Sequence, residues 1–269
     1  MAKQLVSDEL WAVVEPLLPA VKAPGTRGHP PVPNRVALTG IVFVLKTGLP
    51  WEYFPQELGC CGMTLHNRLT AWQRAGVWER LHHTLLQHLA DADKIDWSRA
   101  SADASRVPAK KGGPGTGPNP VDRGKPGAHH HLVTDRRGAP LAAFSTPANV
   151  NEGTVLERLV DAIPALKQPH GTPGRPRRRP KKLHADKAYA SRQNRQALRR
   201  RGIRPRIARP KVDTSEKLGR HRWVAERTFA WLHRNRRLLV RFERADPPHQ
   251  ALLALGCALV CWQLLHTAA

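Results

Sequence analysis

The 269-residue chain is predicted to be an α/β protein in which a small all-helical unit precedes a mixed sheet flanked by helices. Three observations predict it. Residues 7–90 carry apolar positions at helical spacing, broken by turns that contain glycine and proline. From residue 98 the texture changes to short extended runs, SRASADASRV, AHHHLVTD and PLAAFSTPA, the last two joined by the turn DRRGAP. After them helical and strand-like segments alternate. A chain of this length can also bury a sizeable core.

Element by element, the first helix is expected over 7–18, with Ser7 as N-cap and Leu10, Trp11, Val14, Leu17 and Leu18 at helical spacing. Pro19 ends it, and a loop rich in Pro, Gly and basic residues runs to Pro33. Helices follow over 35–46, 51–58, 64–74 and 77–90, in a helix-turn-helix rhythm. The boundary falls within 91–97, which divides the chain into units 1–93 and 94–269. In the second unit strands are expected over 98–107, 128–135 and 140–148, then a helix over 151–165 and a strand over 182–186. A helix over 191–201, a strand over 204–208 and helices over 219–237 and 249–266 complete it. Three strands, helix, strand, helix, strand, helix is the order of a ribonuclease-H-like core. Two segments fit neither class and are expected as mobile basic loops: 106–127, with six glycines and five prolines, and 167–182, with seven lysines and arginines.

Charge narrows the function. Lys and Arg number 44 against 21 Asp and Glu, a formal +23, which calls for a polyanionic partner. With 41% hydrophobic residues and 24 prolines the chain is neither a disordered basic tail nor a coiled coil, so the charge sits on a folded body. The acids within the first ten residues argue against a secretory signal and for a cytoplasmic protein. The apolar stretch 251–265 falls short of the roughly twenty residues of a membrane span and is expected to be a buried core helix. Cys60, Cys61, Cys257 and Cys261 form neither a CxxC pair nor a spaced framework and are expected to be reduced core thiols.

In so basic a chain the informative acids are those in apolar or packed contexts. Asp103 lies within SADAS on the first strand, Asp186 ends KKLHAD, and Glu226 lies in the helical RHRWVAERTFAWLHRNRR. A wheel of the last segment buries Val224, Ala225, Thr228, Phe229, Trp231 and Leu232, with Arg222, Glu226, His233 and Arg237 on one flank. Two strands and a helix can bring three carboxylates together. Such hard oxygen ligands suit two magnesium ions about 4 Å apart, which activate an attacking oxygen and stabilise a leaving one in phosphodiester chemistry. Each acid also has a plainer reading: a turn or N-cap for Asp186, a strand-end counter-charge for Asp103, an i, i+4 pair with Arg222 for Glu226.

The motifs VSDELWAVVEPLLP, ALTGIVFVLKTGLPWEYFPQELGC, TAWQRAGVWERLH, IDWSRASADAS, GPNPVDRGKPGAHHHLVTD, LHADKAY and RWVAERTFAWLHRNRRL together resemble bacterial insertion-sequence transposases of the DDE class, on the insertion-sequence-five branch. The resemblance covers nearly the whole chain. It implies that Asp103, Asp186 and Glu226 are the catalytic, metal-holding acids and that Arg222 is the arginine accompanying the Glu. It also implies two Mg2+ ions, with Mn2+ as a substitute. Gly219 and His233 stand where the related signature has Tyr and Lys, and Lys187-Ala188 stand where Arg-Gly is usual. The implied partners are double-stranded DNA, as the element's terminal inverted repeats and the target, and further copies of the chain. The implied reaction is cleavage at the element ends and joining of the 3′ hydroxyls to target DNA.

For DNA contact the helix over 64–74 offers His66, Asn67, Arg68, Gln73 and Arg74, with Leu65, Leu69 and Trp72 packing inward. Arg175 and, more strongly, Arg177, Arg178, Arg179, Lys181 and Lys182 are expected to meet the phosphate backbone without reading sequence. His129, His130 and His131 suggest zinc, but alternation along a strand sends the middle one to the opposite face. Two other functions fit the same chain: a non-catalytic DNA-binding repressor or inactive copy, and a basic nuclease without strand transfer.

Overall fold

A computed structural model describes residues 4–20, 31–169, 173–208 and 216–267, without the side chains of 216–222. The helical unit is built from α1 (Asp8–Val14), α2 (Asn34–Thr47), α3 (Gly62–Arg74) and α4 (Val77–Asp91). Ser7 caps α1 as expected, its hydroxyl accepting from Leu10 N at 3.3 Å. The helix expected over 51–58 is instead two 3-10 turns, Trp51–Tyr53 and Gln56–Leu58. Pro55 separates them, because it has no N–H to continue the helical ladder.

The strands are β1 (Ala100–Pro108), β2 (Gly117–Pro118), β3 (Pro126–Asp135), β4 (Pro140–Pro147), β5 (Lys182–Ala185) and β6 (Arg204–Ile207). β3 pairs antiparallel with β1 on one side and with β4 and the short β2 on the other. β1 pairs parallel with β5, and β5 parallel with β6. Three antiparallel strands extended by two parallel ones, with β1 central, is the ribonuclease-H-like sheet that the element order predicted. Helices α5 (Glu152–Asp161), α6 (Arg192–Arg200), α7 (Glu216–His233) and α8 (Asp246–His266) complete the chain.

One apolar core runs through both units. Leu65, Leu69, Trp78, Leu85 and Leu86 of α3 and α4 belong to the same cluster as Leu252, Leu255 and Val260 of α8 and Leu132 and Leu183 of the sheet. Lys94 fastens the joint, its Nζ donating to the carbonyls of Leu264, Leu265 and Thr267 at 3.2, 2.7 and 3.0 Å. α8 extends over 21 residues and is long and apolar enough to cross a membrane, unlike the shorter apolar stretch seen in the sequence. It is nevertheless a core helix, with Ala251, Leu252, Leu253, Cys257 and Cys261 buried.

The segment 106–127 is not the loose loop that its glycines suggested. β1 takes it as far as Pro108, and Ala109 bridges to Arg241. The buried Arg241 guanidinium then donates to the carbonyls of Gly115 and Pro114 at 2.8 and 2.6 Å. A guanidinium with five donors is well suited to tie a chain turn whose own carbonyls lack partners.

Candidate active site

Asp103 lies in the middle of β1, opposite Leu132 of β3. On its other side the parallel register sets Ala100 opposite Leu183 and Ser101 opposite His184. Continued along the strands, that register brings Asp186, the residue after β5, level with Asp103. Asp186 also ends the strand: its Oδ1 accepts from Ala188 N at 2.6 Å and starts a 3-10 turn, Lys187–Tyr189. The plain turn role and the place beside Asp103 therefore belong to the same residue.

Ser101, Asp103 and Ser105 alternate onto one face of β1. Ser105 is opposite His130, whose Nε2 lies 2.8 Å from His249 Nε2 on α8, so this is the face that α8 covers. α7 also packs on β1, β3 and β5. It is held by buried Val224, Ala225, Thr228, Phe229 and Leu232, the stripe read from the wheel, with Trp231 only partly buried. Thr228 Oγ1 donates to Gly138 O at 2.9 Å and Arg227 Nη2 to Arg137 O at 2.7 Å. The Arg227 guanidinium lies over the rings of Trp223 and Trp231, 4.5 and 4.6 Å from their centroids.

Glu226 is exposed on this helix, because the residues that hold α7 to the sheet occupy its other sides. Arg222 falls one turn earlier on α7, and its side chain lies outside the described residues. Among the described residues, no group of three His, Cys, Asp or Glu side chains is gathered closely enough to hold a metal ion. The β1–β5 register, extended two residues past its last pair, thus sets Asp186 level with Asp103, while Glu226 stands on the helix packed over the same strands. Arg237 departs from the flank expected for it. α7 stops at His233, and Arg237 lies in a following 3-10 turn, buried.

The histidine run alternates as predicted. His129 and His131 point to the opposite face, their rings 4.6 Å apart. There Glu152 Oε1 lies 3.3 Å from both His129 Nε2 and Arg106 Nη2. Burial drives the Glu152 carboxyl up, but His129 and Arg106 outweigh it and the net shift is downward.

The residues expected to touch DNA divide into two groups. Leu65, Leu69 and Trp72 are buried as read, and Asn67 and Arg74 are exposed on the outer face of α3. Arg68 is turned inward: its Nη1 donates to Asn34 Oδ1 at 2.5 Å, and its guanidinium lies over Trp72. His66 packs edge-on against Trp51, and Gln73 donates to Glu79 at 2.7 Å. In the second basic segment Arg178 donates to Asp161 O, and Arg179 to Val160 O and Asp161 Oδ1. Arg177 exchanges backbone hydrogen bonds with Leu166 and lies over Trp97. These arginines staple residues 173–182 to the core, so that segment is not a loose loop. Lys181 is exposed and Lys182 half-buried.

The sequence reading missed a buried polar set on the sheet's α8 face. Arg237 Nε donates to Glu243 Oε1 at 2.8 Å, Glu243 Oε2 lies 3.6 Å from His249 Nδ1, and His249 Nε2 meets His130 Nε2. All four side chains are at most 5% exposed. The one local signal is the charge pattern of RFERADPPHQ between apolar segments.

A family model described as "Transposase DDE domain" matches residues 94–261, and one described as "Putative transposase of IS4/5 family" matches residues 6–82. Over 157 residues the chain is 52% identical to "Putative transposase for insertion sequence element IS402" of Burkholderia cepacia, covering 58% of this chain and 73% of that protein. It is also 52% identical over 123 residues to the "Insertion element IS402 uncharacterized 16.2 kDa protein" of the same organism, covering 45% and 84%. Among solved structures, a chain of the simian T-cell lymphotropic virus intasome in complex with PP2A regulatory subunit B56 gamma superposes at a TM-score of 0.40 and 16% identity. That match covers 65% of this chain and 56% of the intasome chain, little more than half its length. The Mos1 strand transfer complex gives 0.30 and 14%, covering 88% and 81%. With the DDE-domain match alone spanning more than half of its length, the chain belongs to the DDE transposases of insertion sequences.

Proposed function

We propose that the protein binds the terminal inverted repeats of its own element, cuts the DNA at the 3′ ends and joins the freed 3′ hydroxyls to target DNA. What supports this reading is the β1–β5 register, with Ser101 opposite His184, which carried two residues further brings Asp186, just beyond β5, level with Asp103 on the central strand. Their donor set fits a divalent cation: hard carboxylate oxygens, one within a strand and one just past the end of the neighbouring strand. Two divalent ions, magnesium or manganese, would supply the activation of the attacking oxygen and stabilisation of the leaving one. Asp103 and Asp186 are the holding pair, and Glu226, on the helix over those strands, completes the set as α7 adjusts on bound DNA. Arg222 organises phosphate or carboxylate beside it.

Around the acids the net charge of +23 holds DNA. Asn67 and Arg74 on the outer face of α3, and Arg175, Arg178 and Lys181 ahead of β5, are exposed to it, with Lys182 half-buried beside them. His66, Arg68, Gln73, Arg177 and Arg179, all half-buried, support that surface from within. Units 1–93 and 94–269 divide the labour between end binding and chemistry, in the cytoplasm, and synapsis of two ends takes at least two copies.

The test is nicking of a labelled element end with Mg2+. The wild-type protein is expected to nick it. Asp103→Asn should lose at least about 10²-fold in cleavage while binding the end nearly as before. Cleavage retained by that variant would remove Asp103 from the site. No cleavage by the wild type, with end binding intact, would leave a DNA-binding repressor.

A further inference from the structure

The buried set Arg237, Glu243, His249 and His130 lies where four parts of the fold meet. Arg237 follows α7, which carries Glu226, and its Nη1 donates to the carbonyls of Gly48 and Leu49 at 3.2 and 3.1 Å, just beyond α2. The same guanidinium lies over Trp51 and Phe242, 5.7 and 4.8 Å from the ring centroids. Glu243 Oε1 accepts from Arg237 Nε, and its Oε2 faces His249 Nδ1, in the first turns of α8, at 3.6 Å, a charge contact longer than a hydrogen bond. His249 reaches His130 on β3, which is opposite Ser105, two residues along β1 from Asp103. The turn after α2, the turn after the helix of Glu226, the start of α8 and β3, the strand beside that of Asp103, are thus joined through one polar set.

Removing a guanidinium, a carboxylate and two imidazoles from water is costly, and well-packed apolar side chains of similar volume stabilise such a site as well or better. What apolar packing does not supply is direction, since it accepts several neighbouring arrangements. Hydrogen bonds and close buried charge contacts of fixed geometry favour one. We propose that Arg237, Glu243, His249 and His130 are positioning residues, which fix the helical unit relative to the strands bearing Asp103 and Asp186. The inference builds on the proposed transposition chemistry, but its first readout does not depend on it.

That readout is the distance between spin labels on Cys61, exposed at the start of α3, and on a cysteine placed at the exposed Val121, in a Cys60→Ser background. The parent is expected to give one narrow distribution. Arg237→Met with Glu243→Leu and His249→Phe should keep or raise the thermal midpoint yet broaden the distribution. The nearly isosteric Glu243→Gln should broaden it alone, and serves if the triple variant does not fold. A distribution that stays narrow in a folded variant overturns the proposal, whatever happens to cleavage. The second readout is Mg2+-dependent nicking, expected to fall about tenfold or more in the triple variant with end affinity within about threefold, a loss of about 1.4 kcal/mol in transition-state stabilisation. A role in stability alone predicts that nicking returns with the midpoint. If the parent itself never nicks, the transposition reading fails, and the distances still decide the positioning role.

Discussion

Residue type alone does not tell which arginines of a DNA-handling protein face DNA. Arg68 and Arg74 lie on the same helix, yet Arg68 is spent on Asn34 and Trp72 while Arg74 is exposed. Arg74→Ala should leave the thermal midpoint unchanged and lower the slope of log K against log salt by about 1, one phosphate contact fewer. Arg68→Ala should do the reverse, costing roughly 1–2 kcal/mol of stability at an unchanged slope. Denaturation together with a salt titration of end binding separates the two; a salt slope lowered equally by both would overturn the assignment. The places of Asp103 within a strand and of Asp186 at a strand's end were legible, because an acid in such a context is rare in so basic a chain. The inward turn of Arg68, Arg177 and Arg179 was not, since a guanidinium that suits phosphate suits a buried carbonyl as well. The set around Glu243 was hidden for another reason: its carboxylate and arginine are local, but His249 meets His130 across 119 positions of the chain.

At the scale of elements, the strands and most helices were readable within a few residues, because alternation, caps and turn residues are local. The order of pairing, with β1 between β3 and β5, rests on parallel contacts across more than eighty residues. What holds α3 in place is equally non-local. At Gly62, in its first turn, a Cβ would sit 1.7 Å from the carbonyl oxygen of Trp51, an approach open only to glycine. Gly62→Ala should therefore cost ~3 kcal/mol, by the overpacking that forces backbone apart. Chemical denaturation measures it, and a loss below ~1 kcal/mol would show that the turn at Trp51 yields freely.

For the molecule as a whole, buried ionisable groups set the response to pH. Burial is the main force that depresses the His131 imidazole to about 3 and pushes His130 well below its ordinary range. Both are neutral in the fold and take up protons on unfolding, so the stability they give is complete above pH ~6.5 and is lost as pH falls, by ~1.4 kcal/mol per unit for each. Asp135 opposes them. Burial raises its carboxyl to about 6, so protonation of the folded form returns one such increment between pH ~6 and ~4. The Glu243 carboxyl, held at about 2 because its partners outweigh its burial, gives stability that begins to fail only below pH ~4.5. His130, His131 and Asp135 together give a loss of roughly 2 kcal/mol between pH 6.5 and 5, and His82, which burial lowers to about 4, deepens it. Thermal melts across that range should show a falling midpoint, and a rising one would contradict neutral buried histidines.

The core shared between α3, α4 and α8 sets a timetable for biosynthesis. Ribosomes make the four N-terminal helices first, and the helix that covers their inner apolar face emerges only after the whole sheet has been translated. Until then Leu65, Leu69, Leu85 and Leu86 have no cover from α8, and Lys94 lacks the carbonyls that it fastens. The helices that precede the sheet therefore complete their packing only when α8 arrives.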